Sequence, residues 1–201
     1  MYMKLIADKE YTRVFHSPGL EPWVLGITLM IKPRKILDAG CSYGLWCFLI
    51  KNRLKGPVYV VGIDIDVDRI EKAKRMYDDV VLADVRHMPF RSRSFDEVLA
   101  IEVLHSLPID DLRRSRNMLS CCAKKVIVCA FPFLSRQQLY IVRSYGFKTY
   151  RYMLRGFILV DCNKRKIYSM YDTYAWKLLR TLLSMLTIFL CKTKGYYLAI
   201  R

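Results

Sequence analysis

The sequence lacks several features that would place it in other protein classes. Its seven cysteines form no C-x-x-C pair, which argues against a structural zinc site. The apolar stretch at residues 175–191 is interrupted by Lys177 and Arg180, so its uncharged run falls short of the roughly 20 residues that a membrane-spanning helix needs. An odd cysteine count without a signal-peptide pattern indicates a reduced, cytoplasmic chain.

Acidic residues are scarce in the second half of the chain. Residues 112–201 hold 18 Lys and Arg but only two acids, Asp161 and Asp172, whereas residues 1–111 hold 16 basic and 16 acidic residues. The whole net charge of +16 therefore lies in the second half. This asymmetry indicates either a solvated basic surface or an anionic partner such as RNA or an anionic membrane surface.

The order of apolar runs and amphipathic segments predicts an α/β fold. A length of 201 residues with 53% hydrophobic content suits a single domain with a sizeable core. Strand–helix alternation predicts a mostly parallel sheet covered on both faces. The predicted strands are one ending near Asp38 and those over 58–64, 80–84, 94–101, 126–131, 147–152 and 195–201; the predicted helices cover 23–31, 44–53, 68–74, 109–119 and 134–144.

A glycine-containing turn follows the first strand, in the segment that reads KILDAGCSYGLWCFLI from Lys35 to Ile50. Glycines allow a positive φ and a close approach of backbone to ligand, and the start of the next helix offers free N–H groups. Gly40 and Gly44 fit a dinucleotide fingerprint poorly, because that pattern needs G-x-G-x-x-G. The spacing around Ser42 also matches the G-x-S-x-G of a hydrolase nucleophile elbow, but no glycine-rich oxyanion loop precedes it.

Acidic residues close the next two predicted strands. Asp64 lies 20 residues after Gly44, where an acidic side chain can accept hydrogen bonds from both ribose hydroxyls of a bound nucleoside. Asp84 closes the third strand. Asp66 is better interpreted as the N-cap of the following helix. Because ligands of open α/β sheets bind at the carboxyl ends of the strands, these residues predict a nucleoside site.

The ordered motifs resemble those of class I S-adenosylmethionine (SAM)-dependent methyltransferases, closest to the small-molecule "type 11"-like branch. The motifs are D-A-G-C-S-Y-G from Asp38, G-I-D ending at Asp64, A-D-V-R-H-M-P-F from Ala83, S-F-D from Ser94 and E-V-L-H ending at His105. The resemblance implies a Rossmann-like sheet of seven strands with an antiparallel last strand. It also implies one domain over 1–201, with a lead-in at 1–34 and an insertion at 153–192.

The resemblance implies SAM as cofactor and a set of residues around it. Gly40 to Gly44, with Ser42 in place of the middle glycine, would wrap the methionine end, and Asp38 would orient its ammonium. Asp64 would hold the ribose. The remaining implied contacts are Asp84 and the Val85 N–H with the adenine, Ile101 and Glu102 beside the sulfonium, and His105 on the substrate side. No metal is implied.

The predicted function is methyl transfer from SAM to an unidentified small-molecule or lipid acceptor. His105 is the first candidate for a general base, where one is needed, and Glu102 the second. The alternative is an RNA methyltransferase, or a non-catalytic SAM- or RNA-binding protein, that uses the basic second half. In the lead-in, Tyr11 and His16 are candidates for substrate contact. The helix at 175–191 is expected to cover the substrate site, form a homodimer face or lie on a membrane.

Overall fold

The computed structural model describes residues 21–131, 136–144, 146–153, 158–161, 166–169 and 197–200. Tyr11, His16 and the predicted helix at 175–191 lie outside these residues. The helices are α1 (Glu21–Ile31), α2 (Leu45–Arg53), α3 (Val67–Ala73), α4 (Ile109–Cys122) and α5 (Arg136–Ser144), with a 3₁₀ turn at Leu104–Ser106. The strands are β1 (Lys35–Ala39), β2 (Tyr59–Asp64), β3 (Asp79–Leu82), β4 (Phe95–Ile101), β5 (Ala123–Phe131), β6 (Lys148–Met153), β7 (Ile158–Asp161), β8 (Lys166–Ser169) and β9 (Tyr197–Ile200).

Five parallel strands form the body of the sheet, in the order β3-β2-β1-β4-β5. All seven residues of β4 are buried, as expected for a central strand covered on both faces. The predicted parallel α/β sheet is therefore confirmed. The strand order reverses between β1 and β4, and this is the position at which open α/β sheets bind ligands.

The described part of the sheet has nine strands, so the predicted count of seven is wrong. Beyond β5 the order continues β9-β6-β7-β8, and β9 runs antiparallel to β5 and β6. Strands β7 and β8 lie within 153–192, the segment predicted as an insertion. Each has only four residues, which is too short for its periodicity to distinguish a strand from a loop.

Two apolar layers cover the faces of the sheet. Alternating residues of β4 separate them: Val98 belongs to the layer under α4 and α5, and Leu99 to the layer under α1, α2 and α3. This alternation follows from the two-residue period of a strand. Within the described residues, no helix is both long and apolar enough to cross a membrane.

Helix ends agree with the predicted boundaries in most places. Asp66 caps α3 as predicted, accepting hydrogen bonds from the N–H groups of Asp68 and Arg69. One boundary is wrong: α4 continues to Cys122, and β5 begins directly at Ala123 with no intervening turn. The buried side chains of Leu119 and Cys122 extend the apolar face of α4 by one turn beyond its predicted end.

Candidate active site

The turn between β1 and α2 lies at the carboxyl end of β1. Gly40, Ser42 and Gly44 all adopt a positive φ, of 82°, 47° and 93° respectively. A left-handed conformation costs a non-glycine residue roughly 1–2 kcal/mol. Ser42 therefore occupies the middle-glycine position of the resembled motif with the backbone that a glycine would adopt there.

Close packing requires glycine at three positions of this site, Gly40, Gly44 and Gly62, where an added Cβ atom would lie within 3.0 Å of another atom. A Cβ atom on Gly40 would lie 2.0 Å from Cγ2 of Val103, which follows β4. A Cβ atom on Gly62 in β2 would lie 2.9 Å from Sγ of Cys41 and 3.1 Å from the ring of Tyr77. The turn thus packs between β2 and the segment after β4. This packing brings together the predicted site residues at the ends of β1, β2 and β4.

Asp64 holds the turn in place from the end of β2. Its Oδ2 accepts a hydrogen bond from the N–H of Ser42 at 3.0 Å, and its Oδ1 accepts one from the N–H of Asp66 at 3.1 Å. The side chain is only 6% exposed. Each carboxylate oxygen can accept a second hydrogen bond, so the predicted ribose contact is compatible with this structural role.

Asp38 is a buried carboxyl group beside the turn. It is 1% exposed, and its Oδ2 accepts a hydrogen bond from the Tyr77 hydroxyl at 2.5 Å. Among the described residues, nothing hydrogen-bonds to its Oδ1. Burial raises the pKa of Asp38 to about 7, although the Tyr77 hydrogen bond lowers it, and the charge of Asp64 adds to the rise. A buried acceptor without a partner is costly, so a cationic ligand would stabilise this arrangement.

Asp84 lies in the loop after β3, and its oxygens are engaged by Arg86. Oδ1 accepts from the Arg86 N–H at 2.8 Å and from Nε at 3.0 Å, while Oδ2 accepts from Nε at 2.9 Å and Nη2 at 2.6 Å. The Arg86 hydrogen bonds lower the pKa of Asp84. Nη1 of Arg86 also donates to Asp111 at 2.8 Å. The loop predicted to receive adenine is therefore tied to α4.

The predicted catalytic segment follows β4 directly. Ile101 ends the strand and is nearly buried, and Glu102 adopts a positive φ of 57° while its N–H donates to the carbonyl of Ala130 at 2.9 Å. His105 is half-buried on the 3₁₀ turn, and its carbonyl accepts from Gln138 of α5 at 3.1 Å. The contact between Val103 and Gly40 places this segment against the turn.

The side of the site that is predicted to receive adenine is more open. A depression of about 430 Å³ is lined by residues 64–69, with Ile65 and Val67 exposed beside Asp64. Val85 lies on the other side of Asp84, and its side chain is buried in the core. Exposed apolar side chains beside a carboxylate at a strand end suit a nucleoside, which presents both a flat base and ribose hydroxyls.

Three residues of this arrangement were not predicted from the sequence: Tyr77, Val103 and Arg86. Tyr77 contacts Asp38 across 39 residues of sequence, and no local pattern marks such a pair. Val103 stands inside the motif E-V-L-H, but no role was predicted for it. The D-x-R spacing of Asp84 and Arg86 is the one signal that could have been used, because an ion pair two residues apart fits a turn.

The hydrolase interpretation of Ser42 needs a histidine hydrogen-bonded to its hydroxyl. Among the described residues, no histidine makes this contact. His87 instead lies at the surface beside Arg114, 3.5 Å from Nη1. The described part of the chain therefore does not form a hydrolytic triad.

Comparisons with known proteins agree with the fold. Residues 36–125 match the family model described as a methyltransferase domain. A malonyl-[acyl-carrier protein] O-methyltransferase of Legionella pneumophila is 33% identical over 104 residues, which cover 46% of this chain and 36% of that protein. The chain thus spans well under half the length of this relative.

Solved structures share the fold at low sequence identity. Magnesium protoporphyrin IX methyltransferase from Synechocystis PCC 6803, with bound SAM, superposes with a TM-score of 0.60 at 14% identity, covering 100% of this chain and 89% of that chain. A SAM-dependent methyltransferase from Archaeoglobus fulgidus gives a TM-score of 0.58 at 17% identity, covering 90% of this chain and 93% of that chain. At these identities the likeness shows the fold alone.

Proposed function

We propose that the protein transfers a methyl group from SAM to a small-molecule or lipid acceptor, and the match of residues 36–125 to a methyltransferase domain supports this proposal. The observation that carries the proposal is the buried Oδ1 of Asp38, which has no partner among the described residues and lies beside the turn at Gly40. A buried carboxylate oxygen suits an ammonium group, which donates charge-assisted hydrogen bonds. The methionine end of SAM carries such a group.

The residues present fit this cofactor. Gly40 and Gly44 allow the positive φ angles of the turn that would wrap the methionine end, and Ser42 preserves the same conformation. Asp64 keeps free acceptor capacity for ribose hydroxyls. Ile101 supplies apolar surface beside the expected position of the methyl group, and the Val85 N–H lies on the adenine side.

When bound, SAM supplies an electrophilic methyl group on a positively charged sulfur. The protein therefore needs mainly to align the acceptor atom with that methyl group and to exclude water. The apolar side chains of Val103 and Ile101 would exclude water. The carboxylates of Asp38 and Asp64 would orient the bound cofactor. Where the acceptor carries a proton, a ring nitrogen of His105 would take it, with the Glu102 carboxylate as second candidate.

The acceptor belongs to the small-molecule or lipid class in this proposal, and the Legionella relative adds one chemical example. That protein is named for methylating an oxygen of an acyl-carrier-bound malonyl group. Because this chain spans 36% of that relative, the likeness does not extend to the acceptor. RNA or anionic-membrane binding through residues 112–201, a homodimer and a cytoplasmic location with membrane association stay predictions.

The first experiment is calorimetric titration with S-adenosylhomocysteine, the product of the transfer, on wild type and Asp64→Ala. We expect micromolar binding that weakens at least about tenfold in the variant, because two charge-assisted hydrogen bonds are lost. Asp79→Ala is the matched control, since it removes an exposed carboxylate at the opposite end of the sheet. Asp64→Asn keeps one acceptor oxygen and is the second variant to measure if Asp64→Ala does not fold.

Two outcomes would contradict the proposal. Absence of binding to folded wild-type protein would remove SAM as the cofactor. Binding without methyl transfer to any of a panel of carboxyl, hydroxyl and amine acceptors would favour a non-catalytic protein on the same fold. For the general base, unchanged turnover in both His105→Ala and Glu102→Gln would contradict the two assignments.

A further inference from the structure

Basic residues concentrate at the edge of the sheet opposite to the candidate active site. We call this the amino edge: the connections that lead into β1, β2, β4, β5 and β6, over residues 32–35, 53–59, 91–96, 121–125 and 146–148. Asp96 is the single acidic residue in these ranges. Their basic residues are Lys32, Arg34, Lys35, Arg53, Lys55, Arg91, Arg93, Lys124, Lys125 and Lys148, all exposed except the half-buried Lys35.

Contacts join three connections of the amino edge, those that lead into β1, β4 and β5. Oδ2 of Asp96 accepts hydrogen bonds from the N–H groups of Arg34 at 2.9 Å and Lys35 at 3.1 Å, and its Oδ1 lies 3.9 Å from Nζ of Lys124. The N–H of Arg93 donates to the carbonyl of Cys121 at 2.7 Å. The starts of β1, β4 and β5 are thereby joined, and the one acid among them is largely buried.

Helix dipoles do not explain this distribution. A basic residue in the last turn of a helix complements the negative end of the dipole, and Arg53 in α2 fits that description. Arg34, Arg91 and Lys125, however, lie at strand starts or in loops outside any helix. The connection into β3 differs from the others, since Asp78 and Asp79 accompany its basic residues. The positive charge is thus specific to the part of the edge from β2 to β6.

Three large apolar side chains are exposed on the same edge. Leu29 and Met30, at the end of α1 just before Lys32, are 44% and 84% exposed. Tyr59, the first residue of β2, is 45% exposed, and its ring centroid lies 5.5 Å from Nζ of Lys35. Aliphatic side chains next to cations suit the boundary between lipid headgroups and acyl chains. RNA is held by cations and aromatic stacking, and gains little from an exposed methionine.

The opposite edge, where the candidate active site lies, has the reverse character. Asp38, Asp64 and Asp66 gather there, and Arg86 is paired with two carboxylates, Asp84 and Asp111. Strand β4, with seven residues at about 3.3 Å each, separates the two edges by roughly 20 Å. A surface that binds the amino edge would therefore leave the candidate active site facing away from it.

We propose that the amino edge docks on an anionic lipid bilayer, with Met30 and Leu29 entering the headgroup region and the basic residues contacting lipid phosphates. The candidate active site then opens toward the aqueous phase. This surface lies outside the methyl-transfer site, so its test needs no methyl transfer, and docking in this orientation favours the small-molecule acceptor over a lipid of the same bilayer. It also differs from the expectation that an anionic partner binds through residues 112–201, because five basic residues of the amino edge precede residue 60.

The test is flotation of the full chain with phosphatidylcholine vesicles that contain or lack phosphatidylglycerol. We expect binding to the anionic vesicles only, and a loss of about tenfold in the double variant Arg91→Glu with Lys125→Glu. The matched control is Arg113→Glu with Arg114→Glu, which changes the same charge on an exposed part of α4 away from the amino edge. Met30→Ser, at unchanged charge, should weaken vesicle binding severalfold.

Other results would overturn the proposal. Equal losses in the two double variants would show that net charge, and not the amino edge, drives binding. Binding of poly-uridine RNA in place of vesicles, lost in Arg91→Glu with Lys125→Glu but unaffected by Met30→Ser, would make the edge an RNA surface. Arg91→Gln with Lys125→Gln provides a milder pair should the charge reversals fail to fold, and circular dichroism of each variant verifies the fold.

Discussion

The hydroxyl of Thr28 lies 2.9 Å from Oε1 of Glu97 and 3.1 Å from the carbonyl of Val24, so one hydroxyl proton faces two acceptors. A protonated Glu97 satisfies both, because its own O–H can donate to Thr28 while Thr28 donates to Val24. Glu97 is 0% exposed, and burial raises its pKa to about 7, although the Thr28 hydrogen bond lowers it. Helix α1 is therefore joined to β4 by a carboxyl group that is neutral below about pH 7.

This pair makes the stability of the fold depend on pH. The folded-state pKa of Glu97 lies above its unfolded value of 4.5, so the folded protein binds an extra proton between pH 4.5 and about 7. The free energy of unfolding should fall across this window and level off above it. Glu97→Gln stays neutral, so its free energy of unfolding should not fall in this way. Measured by urea unfolding, the difference between the variant and wild type should shift in favour of the variant by up to about 3 kcal/mol from pH 5 to pH 8.

Asp96, one residue earlier in β4, provides the control. Burial alone would raise the pKa of Asp96. Hydrogen bonds from the N–H groups of Arg34 and Lys35 lower it, as do the nearby charges of Lys125 and Lys124, and together they outweigh burial. The pKa of Asp96 therefore lies below its ordinary value. Asp96→Asn should thus lose stability by a similar amount at pH 5 and pH 8, since Asp96 is ionised at both. A constant difference between Glu97→Gln and wild type across pH would contradict a neutral Glu97.

The hydrogen bond from Tyr77 to Asp38 should control cofactor affinity. Asp38 must be ionised to hold an ammonium group, and its pKa of about 7 predicts that S-adenosylhomocysteine binds more tightly as pH rises from 6 to 8. Tyr77→Phe removes a donor to the charged form, so the pKa of Asp38 rises further. Binding at pH 7 should weaken several-fold, and the midpoint of the pH dependence should move to higher pH.

Calorimetry at several pH values measures both effects. Tyr59→Phe removes a hydroxyl group at the opposite edge of the sheet and should leave affinity and midpoint unchanged. A Tyr77→Phe variant that binds less tightly with the same midpoint would mean that Tyr77 acts only through packing against Gly44 and Gly62. Unchanged affinity would remove Asp38 as the ammonium ligand.

The elements of the parallel sheet were predictable because their signals are local. The strands β1 to β5 are apolar runs, of which the first four end near an acid or a glycine, and the Asp66 cap is a pattern within four residues. The gathering of Asp38, Gly40 and Asp64 also follows from the sequence, since the carboxyl ends of parallel strands share one edge.

The contacts that tune the site were not predictable, because they join distant residues. Tyr77 reaches Asp38 across 39 positions, and Arg86 reaches Asp111 across 25. Along the chain, the first 111 residues have no net charge, so they show no basic segment. In the folded protein, basic residues from several segments lie together at the amino edge. This surface forms only when the starts of the strands lie side by side.

Gly40 and Val103 test the packing of the turn. Gly40→Ala places a Cβ atom 2.0 Å from Cγ2 of Val103 and forces an alanine to a φ of 82°, so it should destabilise the protein by about 2–4 kcal/mol. Val103→Ala removes the colliding methyl group. In the double variant most of the steric cost should disappear, since only the Cβ atom of residue 103 stays close, at 3.2 Å. Relative to Val103→Ala alone, about 1–2 kcal/mol should then be left, mainly from the left-handed backbone.

Urea unfolding of the two single variants and the double variant completes the cycle. Gly26→Ala serves as the control glycine, because nothing lies within 4 Å of its added Cβ atom and it sits in helix α1. Additive costs of the two single changes would contradict a direct collision between Gly40→Ala and Val103.

Arg86 bears on the predicted adenine contact of Asp84. Four hydrogen bonds from Arg86 use the acceptor sites of the Asp84 carboxylate, which offers about four lone-pair positions in all. We therefore expect Asp84 to organise the loop through Arg86 and not to accept from the 6-amino group of adenine. Arg86→Ala and Asp84→Asn should then weaken S-adenosylhomocysteine binding to a similar degree, because either change releases the loop from α4.

A ligand with the amino group replaced by oxygen, S-inosylhomocysteine, separates the two roles. If Asp84 acts through Arg86, the ratio of the affinities for the two ligands should be the same in wild type and Asp84→Asn. A ratio that collapses toward one in Asp84→Asn would show a direct bond to the amino group, because only that contact distinguishes the ligands at this position. Asp111→Asn, which keeps Asp84 intact but weakens the link to α4, should reproduce part of the Arg86→Ala loss with an unchanged ratio.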